Sequence, residues 1–523
     1  PEILKSEELT EEKYASFFGI ARILKVESMH RVSDLYGPII YTQFGSKTGS
    51  MPDTQAEAYR AFFKDLDIGI EKIREYQEEN PKVENFAKFD FLMPKAKRTY
   101  DEWIRFANSL RLRLAVRIAM ADPQLAASQA HKALADRGGL LENDDDIVAV
   151  STAGSGYNNP LGEISVAWGS AIMNANLESY MGGYEDPRLP HYFKKALGGK
   201  GEEIVRVGGT FKGMRQGTGF NHKNYSEHSK STITQSTDAV LMTAAEVWFL
   251  RAEAALRKWS AEDVQACYEN GVRASFAQWS AGDVMPYLNS TRTPKEYRDA
   301  FNAAFDAQAM SRITPAWDET ATDEEKLERI ITQKWIACYP EGCEAWAEQR
   351  RTGYPRLFPV LVNASQGTVD TNLGPRRLNF IIGWYQGLQP PAVPRPGQCP
   401  RRSRPLRHPP VVGYGKEFLK IHQISNIGNN NCNLYYIISF WLPYLCIGNK
   451  IVYLPLKINE AIYVDKTFWR LPRRQPVRIA RPVCGRKWLC QPLTGHSLPD
   501  RKERGREEMA MQSHRGRHYH HHV

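Results

Sequence analysis

The chain has 523 residues, of which 42% are hydrophobic and 24% charged, and this length is enough for two or more domains. Its formal net charge of +10 is divided unevenly, because residues 381–523 hold 23 Lys and Arg against 7 Asp and Glu, whereas residues 1–380 hold 46 against 52. The first 380 residues are therefore mildly acidic, which argues against a nucleic-acid partner for them.

These first 380 residues predict a series of capped, amphipathic helices, in which apolar side chains recur at the spacing of one buried face. Five Thr-x-x-Glu sequences predict capping boxes, and they begin at Thr54, Thr99, Thr243, Thr293 and Thr322. The predicted helices span roughly residues 11–34, 54–79, 99–121, 123–137, 163–181, 241–258, 261–280, 294–309, 322–338 and 341–351.

Strand signals are sparse in the same region. Residues 38–41 and 203–207 are predicted as short strands, and the Gly-rich segment 197–225 as a long loop of the kind that is often functional. The predicted helices over 241–258 and 261–280 resemble a tetratricopeptide-like pair, although no strict repeat at a fixed period is present. The predicted fold class is mostly α, with helix pairs, long loops and an irregular C-terminal tail.

Beyond Phe380 the sequence changes character. Residues 381–523 carry the basic excess, five of the eight cysteines, and Pro- and Arg-rich stretches with no steady hydrophobic period. We predict a helical domain over residues 1–380 and an aberrant basic tail over residues 381–523, which is frameshifted or disordered. A genuine but unusual basic domain is the alternative.

No arrangement of side chains in the sequence predicts catalysis or a cofactor. Glu344 and Glu348 lie four residues apart on a predicted helix and invite comparison with the two carboxyls of a glycoside hydrolase. The arginines that follow them favour a solvated or salt-bridged face instead. The acidic run 144–146 lacks the spacing of a calcium loop. We therefore predict no catalytic residue, no metal site and no cofactor.

Several stretches of the first 380 residues carry a recognisable pattern. They are residues 23–44 (ILKVESMHRVSDLYGPIIYTQF), 98–114 (RTYDEWIRFANSLRLRL), 184–190 (YEDPRLP), 245–254 (AEVWFLRAEA), 333–337 (QKWIA) and 344–354 (EAWAEQRRTGY). Together they resemble the SusD/RagB family of surface glycan-binding lipoproteins, over about residues 10–380.

The resemblance implies a mostly helical fold with tetratricopeptide-like helix pairs as its scaffold. It also implies a non-catalytic protein of the outer membrane and cell surface, which captures oligosaccharide or another nutrient and delivers it to a SusC-like, TonB-dependent transporter. Family members start with a signal peptide and a lipidated Cys. Neither is present in this sequence, so we expect the lipid anchor and an N-terminal part of the fold to be missing from it.

A glycan-binding surface needs aromatic rings for the faces of the sugars and amides for their hydroxyls. The residues predicted to bind ligand lie in or beside predicted loops, and they are Tyr157, Asn158, Trp168, Tyr184, Phe220 and Tyr225. For Trp168 a core position on a helix is the alternative, and Tyr180 is predicted to face the core. The other aromatic residues of this set are expected to cluster near one mouth.

Two other functions stay open at this point. A helical-repeat scaffold that binds other proteins and no small molecule would explain the helix pairs without needing aromatic loops. A glycan hydrolase would need two converging, buried acids. A frameshift soon after Phe380 is suggested because residues 408–414 can be encoded so that the next frame gives Thr-Arg-Leu-Trp-Trp-Asp, which resembles the usual end of the family.

Overall fold

The structure is a computed structural model, which describes residues 10–44, 51–153, 155–197, 207–218 and 225–378 and the backbone of residues 446–447 and 450–451. The described helices are α1 (Ala15–Tyr36), α2 (Gln55–Glu79), α3 (Tyr100–Arg117), α4 (Pro123–Leu134), α5 (Pro160–Gly162), α6 (Ala175–Tyr184), α7 (Leu189–Tyr192), α8 (Ala244–Leu256), α9 (Val264–Gln278), α10 (Met285–Leu288), α11 (Asp323–Ala337) and α12 (Gly342–Thr352). A turn of π-helix spans Glu163–Ala167. The strands are β1 (Ile147–Val150), β2 (Ala239–Thr243), β3 (Cys446–Ile447) and β4 (Lys450–Ile451).

Local signals account for most of the long helices, whose predicted existence is confirmed. Thr54 and Thr322 form complete capping boxes, with the Glu side chain returning to the Thr amide. Thr99 and Thr243 each accept the amide three residues later. The helix predicted from residue 241 begins later, at Ala244, because the residues before it form β2.

The single helix predicted over residues 163–181 is wrong. The chain instead makes α5 and the π-helical turn, breaks at Gly169 with a φ of +61°, and begins α6 after the Asn174 cap. Backbone groups in the break bond to other segments, since Ser231 N donates to Ala171 O and Met173 N to Ser229 O. These long-range bonds satisfy the backbone without a helix.

The helix predicted over residues 294–309 is also wrong. Tyr297 and Ala307 exchange two backbone hydrogen bonds of 2.8 and 3.0 Å, and only Ala303–Phe305 makes a 3₁₀ turn. The Asp299 carboxylate accepts the amides of the second and third residues after it. Such local side-chain bonds compete with helical bonding, so the Thr-x-x-Glu pattern at Thr293 does not start a helix here.

Two large hydrophobic clusters and two small ones form the core of the described residues. The first unites α1, α2, α3 and part of α8, and the second unites α6, α8, α9 and α11. Helices α1 and α2 approach each other closely at Gly19 and Gly69, where a Cβ on Gly19 would lie 2.6 Å from the carbonyl oxygen of Gly69. Small residues at this crossing therefore let two long helices pack as a pair. Helices α8 and α9 pack as a second pair, as the sequence predicted.

Strands are few in the described residues. Strands β1 and β2 pair antiparallel, with Ile147 opposite Thr243 and a bulge after Val148, and β3 pairs antiparallel with β4. The strand predicted over residues 38–41 is reduced to one bridge between Ile39 and Asp53. Residues 203–206 lie outside the described residues, and so does all of the tail except β3 and β4. The division of the chain near residue 380 therefore stays a prediction.

None of the helices in the described part of the chain combines the length and the apolar character needed to cross a membrane.

Candidate functional site

The two carboxyls that invited comparison with a hydrolase are buried in a network of charges. Glu344 is 3% and Glu348 2% exposed. Glu344 pairs with Arg117 and with Lys334, the latter at 2.8 Å. Glu348 pairs with Arg351 at 2.6 Å and with Arg117 at 2.9 Å. The predicted salt bridges are confirmed, but the predicted solvated face is wrong, because α12 packs these carboxylates against α3 and α11.

The electrostatics of this network differ from those of a glycosidase acid. Burial by itself would raise the pKa of Glu344, but Arg117 and Lys334 outweigh it and hold the pKa well below its ordinary value. The pKa of Glu348 is lowered to about 2, because Arg351 and Lys334 outweigh burial. A general acid needs a raised pKa, so these groups are suited to stabilise cations rather than to donate protons.

The space beside the network is also small. A cavity of about 10 Å³, which His30, Asp34, Glu341 and Glu344 help to line, has room for about one water molecule. A sugar-binding cleft is larger by more than an order of magnitude, roughly 300–1,000 Å³. Within the described residues, moreover, no group of His, Cys, Asp and Glu is arranged to hold a metal ion.

Acid is expected to destabilise the fold, and the contribution of His228 to this loss of stability should be the clearest to measure. Burial and the nearby Lys212 lower the pKa of His228 from 6.5 to about 4. The unfolded chain therefore binds the proton first, and His228 contributes stability at neutral pH that is lost as pH falls from 6.5 to 4. The stability advantage of wild type over His228→Gln should shrink by about 3 kcal/mol across this range.

Urea unfolding of both proteins at pH 7, 5.5 and 4 measures this change. A constant difference between wild type and His228→Gln would contradict the prediction. Below the ordinary carboxyl pKa of 4.5 both proteins should lose further stability, because the folded-state pKa values of Glu27 and Glu348 are about 2.

A different region carries three of the six predicted ligand-binding residues. The Trp168 side chain is 58% exposed, Asn158 is exposed, and Tyr157 is half-buried. The alternative that Trp168 faces the core is therefore wrong, whereas the core position predicted for Tyr180 is confirmed. We call residues 155–170 the platform segment, because an exposed indole on a packed backbone offers a flat apolar face to a ligand.

The platform segment is held by residues 231–238. Asn159 is buried, its backbone amide donates to Gln235 O at 2.8 Å, and its side-chain amide donates to Thr237 O at 3.0 Å. A Cβ on Gly162 would lie 2.0 Å from the backbone carbon of Thr234, so only glycine allows the two segments to meet.

The π-helical turn sets the direction of Trp168. The backbone amide of Trp168 donates to Glu163 O, five residues earlier, at 3.2 Å. Ser170 N donates to Ile164 O at 3.0 Å. Such π-bulges occur often at functional sites. Val166, 59% exposed, adds a second apolar side chain to the same turn.

Polar groups lie beside this turn. The exposed Gln235 amide donates to the Glu163 carboxylate. Lys230 Nζ lies 3.5 Å from the position that a Cβ would take on Gly169, next to Trp168. The arrangement combines an apolar ring with an amide, a carboxylate and an ammonium group, which are the groups that bind sugar hydroxyls. Glu163, Lys230 and Gln235 were not predicted, because they belong to chain segments more than 60 residues apart.

The remaining predicted residues do not join the platform. Tyr184 is 2% exposed and its hydroxyl donates to Ile313 O at 2.8 Å. Tyr225 is 1% exposed and its hydroxyl donates to Asp299 Oδ1 at 2.7 Å. Both rings are buried in the interior, so the prediction that they contact ligand is wrong. The expected cluster of aromatic residues near one mouth is not found among the described residues. Phe220 lies outside the described residues.

Comparisons with known proteins agree on one family. A family model described as SusD-like, Susd and RagB outer membrane lipoprotein, matches residues 2–386. A solved SusD homologue from Bacteroides vulgatus is 44% identical, with 72% of this chain and 75% of that chain covered and a TM-score of 0.66. A chitin-binding SusD homologue from Flavobacterium johnsoniae is 39% identical, with 72% and 76% covered and a TM-score of 0.67.

A SusD-like protein from Bacteroides thetaiotaomicron is 34% identical, with 73% of this chain and 79% of that chain covered and a TM-score of 0.66. No curated protein matches the sequence. The mostly helical fold and the family resemblance predicted from the sequence are both confirmed by these matches.

Proposed function

Because the chain belongs to the SusD-like family of outer-membrane lipoproteins, we propose that it binds oligosaccharide at the cell surface without altering it. The observation that carries this proposal is the exposed indole of Trp168 on a backbone anchored to residues 231–238. An aromatic ring that is already held in place loses little conformational entropy when a sugar stacks on it. The neighbouring Glu163, Gln235 and Lys230 supply hydrogen bonds.

The ion pairs and the pKa values of the buried carboxyls of Glu344 and Glu348 support binding of the ligand without catalysis. Glu344 and Glu348 are ion-paired and have lowered pKa values, and the cavity that Glu344 helps to line measures about 10 Å³. The identity of the ligand as an oligosaccharide draws support from the chitin-binding relative, which is 39% identical. Delivery to a TonB-dependent, SusC-like transporter, and membrane attachment through a lipid anchor, are parts of the proposal that rest on family membership.

Calorimetric titration of the full chain with a panel of oligosaccharides, including chitin oligomers, tests the proposal. Saturable binding is expected, and chromatography of the incubated sugars should return them at their original length. Shortened products would overturn the non-catalytic part. The absence of binding to every sugar in the panel would overturn the glycan part and favour a scaffold that binds proteins through its helix pairs.

A further inference from the structure

Two lysines lie directly opposite each other beside the platform segment. Phe193 and Ser231 form an antiparallel bridge. The residues next to them, Lys194 and Lys230, form the adjoining pair, in which Lys194 N donates to Lys230 O at 2.8 Å. Residues paired in this way have their side chains on the same face, with Cβ atoms about 5 Å apart. The two ammonium groups therefore belong to one face of the chain.

Lys230 also borders the end of the platform segment. It forms an antiparallel bridge with Ile172, three residues after Gly169. Lys230 Nζ lies 3.5 Å from the position that a Cβ would take on Gly169, so the ammonium group stands beside the backbone of this turn. The residue before Gly169 is Trp168, whose side chain is 58% exposed. A cation is therefore held next to the exposed aromatic ring.

No carboxylate among the described residues forms an ion pair with either of these two lysines. The acids of the neighbouring segments have other partners, because Glu163 accepts the Gln235 amide and Glu227 accepts the Ser226 hydroxyl at 3.4 Å. Like charges directly opposite each other in a strand pair destabilise that pair. An anionic group placed between the two lysines would relieve this repulsion.

We propose that the platform segment and the two lysines together bind acidic oligosaccharides, with one sugar ring stacked on Trp168 and the anionic group of a neighbouring sugar held by Lys230 and Lys194. This inference rests on the proposed function and names the chemical class of its ligand. The ring supplies apolar contact, whereas lysine supplies a compact charge with rotatable donors. Such a charge accepts a carboxylate or a sulfate, so uronic acids and sulfated sugars share the required chemistry.

Calorimetric titration of the full chain with matched pairs of sugars tests the inference. Oligomers of galacturonate and of mannuronate are each paired with their methyl esters, and a sulfated galactan oligomer is paired with its desulfated form. We expect at least one acidic sugar to bind about 10-fold more tightly than its neutral partner, because a hydrogen bond to a charged group is the stronger kind. The difference should shrink when NaCl is raised from about 50 mM to about 500 mM, since salt screens exposed charges.

The outcomes separate this inference from the proposed function. If no acidic sugar binds more tightly than its neutral partner, the inference is overturned, and any neutral sugar that binds, chitin oligomers included, leaves the proposed function in place. If no sugar binds at all, both are overturned. Tighter binding of the uronates alone would identify a carboxylate as the anionic group, and tighter binding of the sulfated galactan alone would identify a sulfate.

Three variants locate the contact. Lys230→Met should weaken binding of the acidic sugar about 10-fold and leave binding of its neutral partner unchanged, a difference that a loss of structure would not produce. Lys194→Met should weaken binding of the acidic sugar about 3-fold, because Lys194 is exposed. Lys195→Met is the matched control, since Lys195 is exposed but alternates to the other face of the strand, and it should leave the affinity unchanged. Should Lys230→Met fail to fold, unchanged affinity in Lys194→Met would still overturn the inference.

Discussion

Replacing Glu344 by Gln is expected to lower the free energy of unfolding by about 3–5 kcal/mol. Glu344 is 3% exposed and faces three cations, namely Arg117, Lys334 at 2.8 Å and Arg113 at 3.6 Å. Gln keeps the shape of the side chain but removes its charge. The three cations would then stay buried without their shared counter-charge, which costs much more than the loss of a surface pair.

The effect should be large because the network joins distant parts of the chain. Arg113 also pairs with Glu246 of α8 at 2.7 Å, and Lys334 with Glu348 at 3.3 Å, so α3, α8, α11 and α12 share one set of charges. Loss of one carboxylate therefore weakens several helix contacts at once.

Urea denaturation of Glu344→Gln and wild type at pH 7 measures this effect. The matched control is Glu75→Gln, since Glu75 is an exposed carboxylate that pairs with Lys72 on the surface of α2. Its unfolding midpoint should equal that of wild type. If Glu344→Gln also unfolds at the wild-type urea concentration, the network does not stabilise the fold as inferred.

Trp168→Ala is expected to weaken oligosaccharide binding by about 30-fold, which corresponds to the roughly 2 kcal/mol of a residue that dominates an interface. The expectation rests on the proposed function. Trp168 is 58% exposed, so its loss removes apolar contact area for the ligand without opening a cavity in the core. Circular dichroism and the urea midpoint of the variant should therefore match those of wild type.

Two controls distinguish the platform from other aromatic residues. Phe91→Ala removes a ring that is 39% exposed but lies outside the platform segment, and it should leave the affinity unchanged. Tyr184→Phe removes only a hydroxyl that donates to Ile313 O in the interior, and it should also bind normally. Wild-type affinity in Trp168→Ala would disprove the role of the platform. Loss of affinity in Tyr184→Phe would restore Tyr184 as a ligand contact.

Local chemistry made the long helices predictable. At Thr54 and Thr322 the cap, the returning Glu and the apolar stripe lie within one or two turns of each other, so no distant contact is needed to interpret them. Thr293 carries the same pattern and fails, because Tyr297 pairs with Ala307 and the Asp299 side chain binds local amides instead.

The candidate site was predictable only in part. The sequence identified Trp168 as an aromatic residue near loops, but its helical spacing also permitted a core position. Trp168 is exposed because the platform segment bonds to residues 231–238, and because Gly162, which has no Cβ, lets these two segments meet. The burial of Tyr184 and Tyr225 was decided in the same way, by acceptors on Ile313 and Asp299 that are distant in sequence.

The sequence by itself determined the mostly helical class, the positions of the long capped helices and the family, because these depend on short-range patterns and on residue identities. Tertiary structure decided which aromatic ring is exposed and which is buried. It also decided that Glu344 meets Arg117, 227 residues away, and that Lys194 lies opposite Lys230. Burial and ion pairing depend on which segments meet in space, and one-dimensional spacing does not carry that information.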